Sequence, residues 1–199
     1  MEPTQRSLTD PRELRAVSHP VRLAILEHLT VEGPMTATAL GARIGESPAN
    51  CSWHLRKLAE HGFVEEAPGG TGRQRPWRPV TRGMRWNDVD DSPELHRAGD
   101  ALSQVLVERE VARLAEWRAR GTDEDPAWRQ AATANQSMLW LTAAELAEIN
   151  GAISDLFTSR SERHDDPGAR PEGARLCALM AWGVPAYGFE DTAAGGDDA

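Results

Sequence analysis

Between Ser47 and Val64 the chain reads SPANCSWHLRKLAEHGFV, a run that gathers amide, hydroxyl, indole and cationic side chains around an apolar stripe. Cys51, Leu55, Leu58 and Ala59 recur at helical spacing, which leaves Ala49, Asn50, Ser52, Trp53, Arg56 and Lys57 on the remaining surface. Amides, hydroxyls and guanidinium groups are what base edges and phosphate oxygens pair with, and Ala49 is small enough to touch a thymine methyl. Further along, Arg73, Arg75 and Arg78 crowd one short segment, where guanidinium groups reach phosphates beside a minor groove or enter it. The chemistry indicated is recognition of double-stranded DNA. No nucleophile elbow, phosphate-binding glycine loop or cluster of histidines and carboxylates is spelled out, so an enzyme is not expected.

The elements that must position these groups are legible around them. Ser47 is a good N-cap, and Pro48 fits the first helical position because its missing N–H would be unpaired there. Gly62 ends the helix in the conformation glycine adopts most easily. Upstream, Pro20 opens a nearly all-round apolar helix with Val21, Leu23, Ala24, Ile25, Leu26 and Leu29, which must be central to its domain. A shorter helix starts near Thr36 or Thr38 and ends at Gly45, so Gly45-Glu46 is the turn of a helix-turn-helix. Downstream, Phe63–Ala67 reads as a strand, Pro68–Gly72 as a flexible tip and Arg73–Val80 as the return strand, which together make a wing. Trp77 is expected to anchor that wing to the domain, since duplex DNA hides its base faces.

These residues resemble the ArsR-like winged helix-turn-helix transcriptional regulators. His19-Pro20-Val21-Arg22-Leu23-Ala24-Ile25-Leu26 is similar to the family's core helix, and Ser52-Trp53-His54-Leu55-Arg56-Lys57-Leu58 to its recognition helix. Gly62-Phe63-Val64 looks like the entry to its wing, and Gly72-Arg73-Gln74-Arg75-Pro76-Trp77-Arg78 like the wing of one subgroup. The resemblance covers about residues 9 to 85, and its four ordered matches are far more specific than any one of them. It implies a transcription regulator, a repressor more often than an activator, that holds a two-fold symmetric operator as a homodimer; the polar Met1–Pro11 segment, unlike a secretory signal, and the two distant cysteines fit the cytoplasm. The DNA-binding set is then Ser47, Ala49, Asn50, Ser52, Trp53, His54, Arg56, Lys57, Arg73, Arg75 and Arg78. His54 admits a second reading, hydrogen-bonded packing on the core side of the helix.

The family's metal sensors carry a cysteine pair before the recognition helix, or an Asp-x-His pattern in the long helix after the wing. Here the first place reads Thr36-Ala37-Thr38-Ala39-Leu40, and the second offers only Glu94-Leu95-His96 with Glu110 as nearest partner. Cys51 and Cys177 are far apart in sequence, so neither a soft-metal cluster nor a disulfide framework is expected, and no metal or cofactor is assigned. Cys51 reads as a small buried apolar residue.

Charge divides the chain. Residues 1 to 85 hold twelve Arg and Lys against nine Asp and Glu, a balance of +3, whereas residues 86 to 199 hold ten against twenty-two, a balance of −12. An acidic half repels DNA and must serve something else. The expected architecture is mainly α with small β. A winged helix-turn-helix DNA-binding domain spans residues 1–86, and a long linker and dimerisation helix spans 92–121 with Leu95, Leu102, Leu106 and Leu114 on its stripe. Arg109 and Glu110 interrupt that stripe. A small α+β domain over 135–190 follows, in which Gln136–Leu141 and Arg175–Trp182 read as strands around a helix that Thr142 and Glu145 begin as a capping box. Thr158 to Gly173 reads as a polar loop, and residues 191–199 as a disordered acidic tail. Trp140, Phe157, Met180 and Trp182 form a candidate effector pocket, although a core or a dimer seam is the plainer use of the same residues. The alternative function is a DNA-bound adaptor whose acidic domain recruits another protein, with no small ligand.

Overall fold

Asp10, His19, Thr36, Ser47 and Ser92 each stand one residue before a helix and accept a hydrogen bond from a backbone N–H of its first turn. The helices they begin are α1 (Pro11–Val17), α2 (Pro20–Glu32), α3 (Ala37–Ile44), α4 (Pro48–Glu60) and α5 (Pro93–Arg120), and proline fills the first position of all but α3. Each cap satisfies a donor that the helix itself leaves unpaired. This computed structural model describes residues 5–70, 75–81, 83–86 and 92–188. Two compact units divide it, Met1–Glu124 and Asp125–Ala199.

In the first unit α2 supplies the centre, with Leu23, Ile25, Leu26 and Leu29 buried, and α4 lays Cys51, Leu55 and Leu58 against it. Each such leucine contributes about 1.5–3 kcal/mol by leaving water. The helix-turn-helix is tight. Gly45 closes α3 at φ 74°, and a Cβ on Gly41 would sit 2.5 Å from the Glu46 carbonyl oxygen, so only glycine lets the turn fold this closely. The wing strands β2 (Val64–Glu66) and β3 (Trp77–Pro79) pair antiparallel, with Val64 opposite Pro79. Trp77 also exchanges backbone hydrogen bonds with Met35 and packs against the core, which ties the wing to the chain before α3. Strands β1 (Gln5–Ser7) and β4 (Gly83–Arg85) pair in parallel, a ladder the sequence did not announce. From β1, Arg6 donates to the Gly62 carbonyl at 3.0 Å and lies over the Phe63 ring, clamping the end of α4.

The mainly helical architecture with an N-terminal winged helix-turn-helix is the one expected, but α5 is used differently. Leu95 and Leu102 are 4% and 0% exposed because the first half of α5 packs on this unit's own core beside α1. They are therefore withdrawn from the dimerisation set, and Leu106 is partly buried in the same place. Where Arg109 and Glu110 interrupt the apolar stripe, an ionic contact takes its place: Arg109 and Arg113 bind the Glu27 carboxylate on α2, and Arg113 also binds Glu110. The exposed apolar stripe of α5 is Val107, Val111 and Leu114.

The second unit holds α6 (Pro126–Ala131), α7 (Ala143–Thr158) and α8 (Glu162–Asp165). Thr142 and Glu145 form the anticipated capping box. The two expected strands are a correction: among the described residues Gln136–Leu141 and Arg175–Trp182 belong to no helix and enter no ladder. Their composition suits a strand, yet a strand exists only when a neighbour accepts its hydrogen bonds, and neither segment supplies one to the other. Part of the expected polar loop instead folds as α8 and a 3-10 turn at Pro167–Ala169. The tail 191–199 lies outside the described residues, as does Arg73.

Candidate nucleic-acid interface

Helix α4 buries one side and offers the other. Ser47 Oγ accepts from the Asn50 N–H at 3.1 Å, which fixes the start of the helix and sets the phase of everything after it. Ala49, Trp53 and Arg56 are then exposed and Asn50, Ser52 and Lys57 half-buried, while Cys51, His54, Leu55 and Leu58 turn inward. Arg56 has no carboxylate partner among the described residues, so its five donors are available. Asn50 is committed in this state, since its Nδ2 donates to Glu46 Oε2 at 2.7 Å. Lys57 Nζ holds Glu60 at 2.8 Å, a bond that lowers the Glu60 carboxyl below the usual range.

His54 is the clear correction. It is 3% exposed, with its ring against those of His19 and Trp53, so it cannot meet DNA from this position. Burial first, then the charges of His19 and Arg22, push its imidazole below the ordinary range, and Nδ1 has no hydrogen-bond partner among the described residues. Burial likewise raises the Cys51 thiol, which keeps it protonated inside the core.

The wing brings Arg75 and Arg78 to its exposed face, each held by an acid of the facing strand. Arg75 donates to Glu66 at 2.6 Å and Arg78 to Glu65 at 2.8 Å. Exposed pairs of this kind are weak and exchange one anion for another at little cost. A further group of cations was missed by sequence reasoning: Arg12, Arg15 and Arg22 join Lys57 and His61 around an open cavity of about 350 Å³ near the end of α4. No local signal marks them, because α1, α2 and α4 bring them together only in the fold. Arg12 binds Asp10 and Arg15 binds Glu94, while burial lowers the pKa of Arg22. Trp140, Phe157, Met180 and Trp182 are all exposed, at 79%, 45%, 40% and 66%, so within one chain they enclose no effector pocket.

One family model agrees with the local reading. The family described as "Helix-turn-helix domain" matches residues 17–67, the span from the end of α1 through β2. No curated protein matches the chain. Among solved structures, the chain is similar to the transcriptional repressor BigR from Xylella fastidiosa, at 26% identity over 49% of this chain and 83% of that one, with a TM-score of 0.30. It is also similar to the transcriptional regulator Tm0710 from Thermotoga maritima, at 15% identity over 73% and 87% of the two chains, with a TM-score of 0.31. No helix among the described residues is long and apolar enough to cross a membrane. Residues 17–67 are thus a helix-turn-helix domain, and the pairing of its last strand, β2, with β3 adds a wing to it.

Proposed function

We propose that the protein is a sequence-specific DNA-binding transcription regulator, a repressor that occupies a two-fold symmetric operator as a homodimer. One observation carries the reading: a capped helix with a buried apolar face presents Ala49, Ser52, Trp53 and the unpaired Arg56 outward, beside a wing edged by Arg75 and Arg78. A helix of this composition fits the major groove, where Arg56 meets a guanine edge, Ala49 a thymine methyl, and Ser47 or Lys57 a phosphate. The wing arginines trade Glu65 and Glu66 for phosphates beside the minor groove. Asn50 reads a base only after releasing Glu46. Dimerisation places two such helices one turn of DNA apart, about 34–36 Å, and the exposed stripe of Val107, Val111 and Leu114 on α5 is a surface for it. Blocking polymerase then needs no further contact.

Capture of genomic fragments on the full-length protein tests the reading. A small set of fragments retained at physiological salt supports it. Retention that tracks fragment length alone, with no preferred sequence, overturns it.

A further inference from the structure

The half of the chain that carries a balance of −12 contains two long uncharged runs, Gln130–Ala144 and Leu176–Phe189. Within them lie Gln136–Leu141 and Leu176–Trp182, which belong to no helix or ladder, and no backbone N–H or C=O of either enters a hydrogen bond among the described residues. Nor are they slack. Arg175 lies over the Trp128 ring at 4.9 Å on one side of the second segment, and beyond it the Gly183 carbonyl accepts from Asn150 Nδ2 of α7 at 3.1 Å. A Cβ on Gly183 would come within 2.7 Å of Asn150 and 3.0 Å of Leu146, so the chain crosses α7 in close contact there. The first segment runs straight into the capping box of α7. Both are held at an end, are largely apolar in sequence, and have no backbone hydrogen-bond partner among the described residues. A strand buried on both faces has that composition.

We propose that these two segments pair, strand on strand, with those of a second copy of this chain, completing a sheet that no single chain contains. The proposal rests on the homodimer reading above and names the C-terminal surface of that dimer. Three observations select a second copy as the occupant. Unpaired donors and acceptors on two strands of one unit are satisfied at once by the same two strands of another, as an isologous interface requires. Two acidic halves approach each other only through uncharged faces, and both runs are uncharged. The surface is also large enough: Trp140, Trp182 and Tyr187 are 79%, 66% and 87% exposed. At about 200 Å² per aromatic side chain they alone offer roughly half of the about 800 Å² that each partner contributes to a stable interface. Leu139, Leu176 and Leu179, each about two-thirds exposed, make up most of the remainder.

Hydrogen exchange on the full-length protein, read by peptide at concentrations above and below dimer dissociation, tests this. The expected result is exchange at least about a hundredfold slower in Gln136–Leu141 and Leu176–Trp182 when dimeric, and rapid exchange when monomeric. A dimer whose two segments exchange like free peptide overturns the proposal while leaving the homodimer standing. Equal protection in the monomer also overturns it, because the strands then pair within one chain. A wild-type protein that sediments as a monomer at micromolar concentration removes the homodimer and this sheet together. As a second measurement, Leu139→Asp with Leu179→Asp should raise the dimer dissociation constant at least about tenfold with helix content unchanged; an unchanged constant contradicts the proposal.

Discussion

The rings of His19 and His54 lie 4.7 Å apart, joining the residue that caps α2 to the buried face of α4. His19 Nδ1 accepts from the Val21 N–H, so that histidine is neutral at the nitrogen that holds the cap. Both imidazoles are pushed below the ordinary range, first by burial, with Arg22 adding to the effect and Glu46 opposing it. The unfolded chain takes up these protons near pH 6.5, and the folded chain takes them up only at lower pH. Stability should therefore be full above about pH 6.5 and fall as pH drops through the folded values. Urea titrations between pH 7.5 and 5 should show this loss, and His54→Gln should flatten it. An equal slope in the variant would assign the loss to other groups.

In the free protein both wing arginines are held by carboxylates, Arg75 by Glu66 and Arg78 by Glu65. Replacing Arg75 and Arg78 with Ala should weaken binding to every DNA and reduce the slope of log affinity against log salt by about one per lost phosphate contact. Glu65→Gln with Glu66→Gln should do the reverse, tightening binding to any sequence at low salt, because the guanidinium groups are then released. Fluorescence anisotropy across a salt series measures both. A salt slope unchanged in the arginine variant would remove the wing from binding.

Arg56 and Asn50 differ in how free they are. Arg56→Ala should cost about 1–3 kcal/mol on the preferred sequence and much less on random DNA. Asn50→Ala should cost less than Arg56→Ala, because in free protein the Asn50 amide is already bound to Glu46. Equal losses on specific and random DNA would show that Arg56 grips only the backbone.

Along α5 the two ends should respond differently to the same chemistry. Leu102→Glu buries a charge at a fully enclosed position and should unfold the first unit, by 3 kcal/mol or more, roughly the scale of a lost core leucine with an unpaired charge added. Val111→Glu with Leu114→Glu, at 60% and 40% exposed positions, should leave the fold intact and weaken self-association. Circular dichroism and sedimentation together separate the two outcomes. A folded Leu102→Glu protein would contradict the assigned packing.

What could be read without coordinates was local. Ser47-Pro48 and Ser92-Pro93 mark helix starts by caps whose chemistry lies within four residues, and α4 and α5 begin where those caps stand. Trp77 as an anchor and Cys51 as a buried apolar residue followed from composition and hold in the fold. Long-range choices were not legible. The β1 and β4 strands are three residues each and lie far apart in sequence, so nothing near either one announces the other. Leu95 and Leu102 repeat at a spacing that serves a partner helix or the unit's own core equally well, and only the position of α1 decides. The apolar runs at Gln136–Leu141 and Arg175–Trp182 suit strands, but pairing depends on a neighbour, and neither run enters a ladder among the described residues.

The central claim is that α4 reads sequence from paired half-sites, and selection from a random DNA pool by the full-length protein tests it most directly. The account predicts enrichment of one motif repeated with two-fold symmetry, its half-sites separated by about one helical turn, 10–10.5 base pairs, with the enrichment lost in Arg56→Ala. A pool that binds but converges on no sequence, or converges equally well with Arg56→Ala, would contradict it.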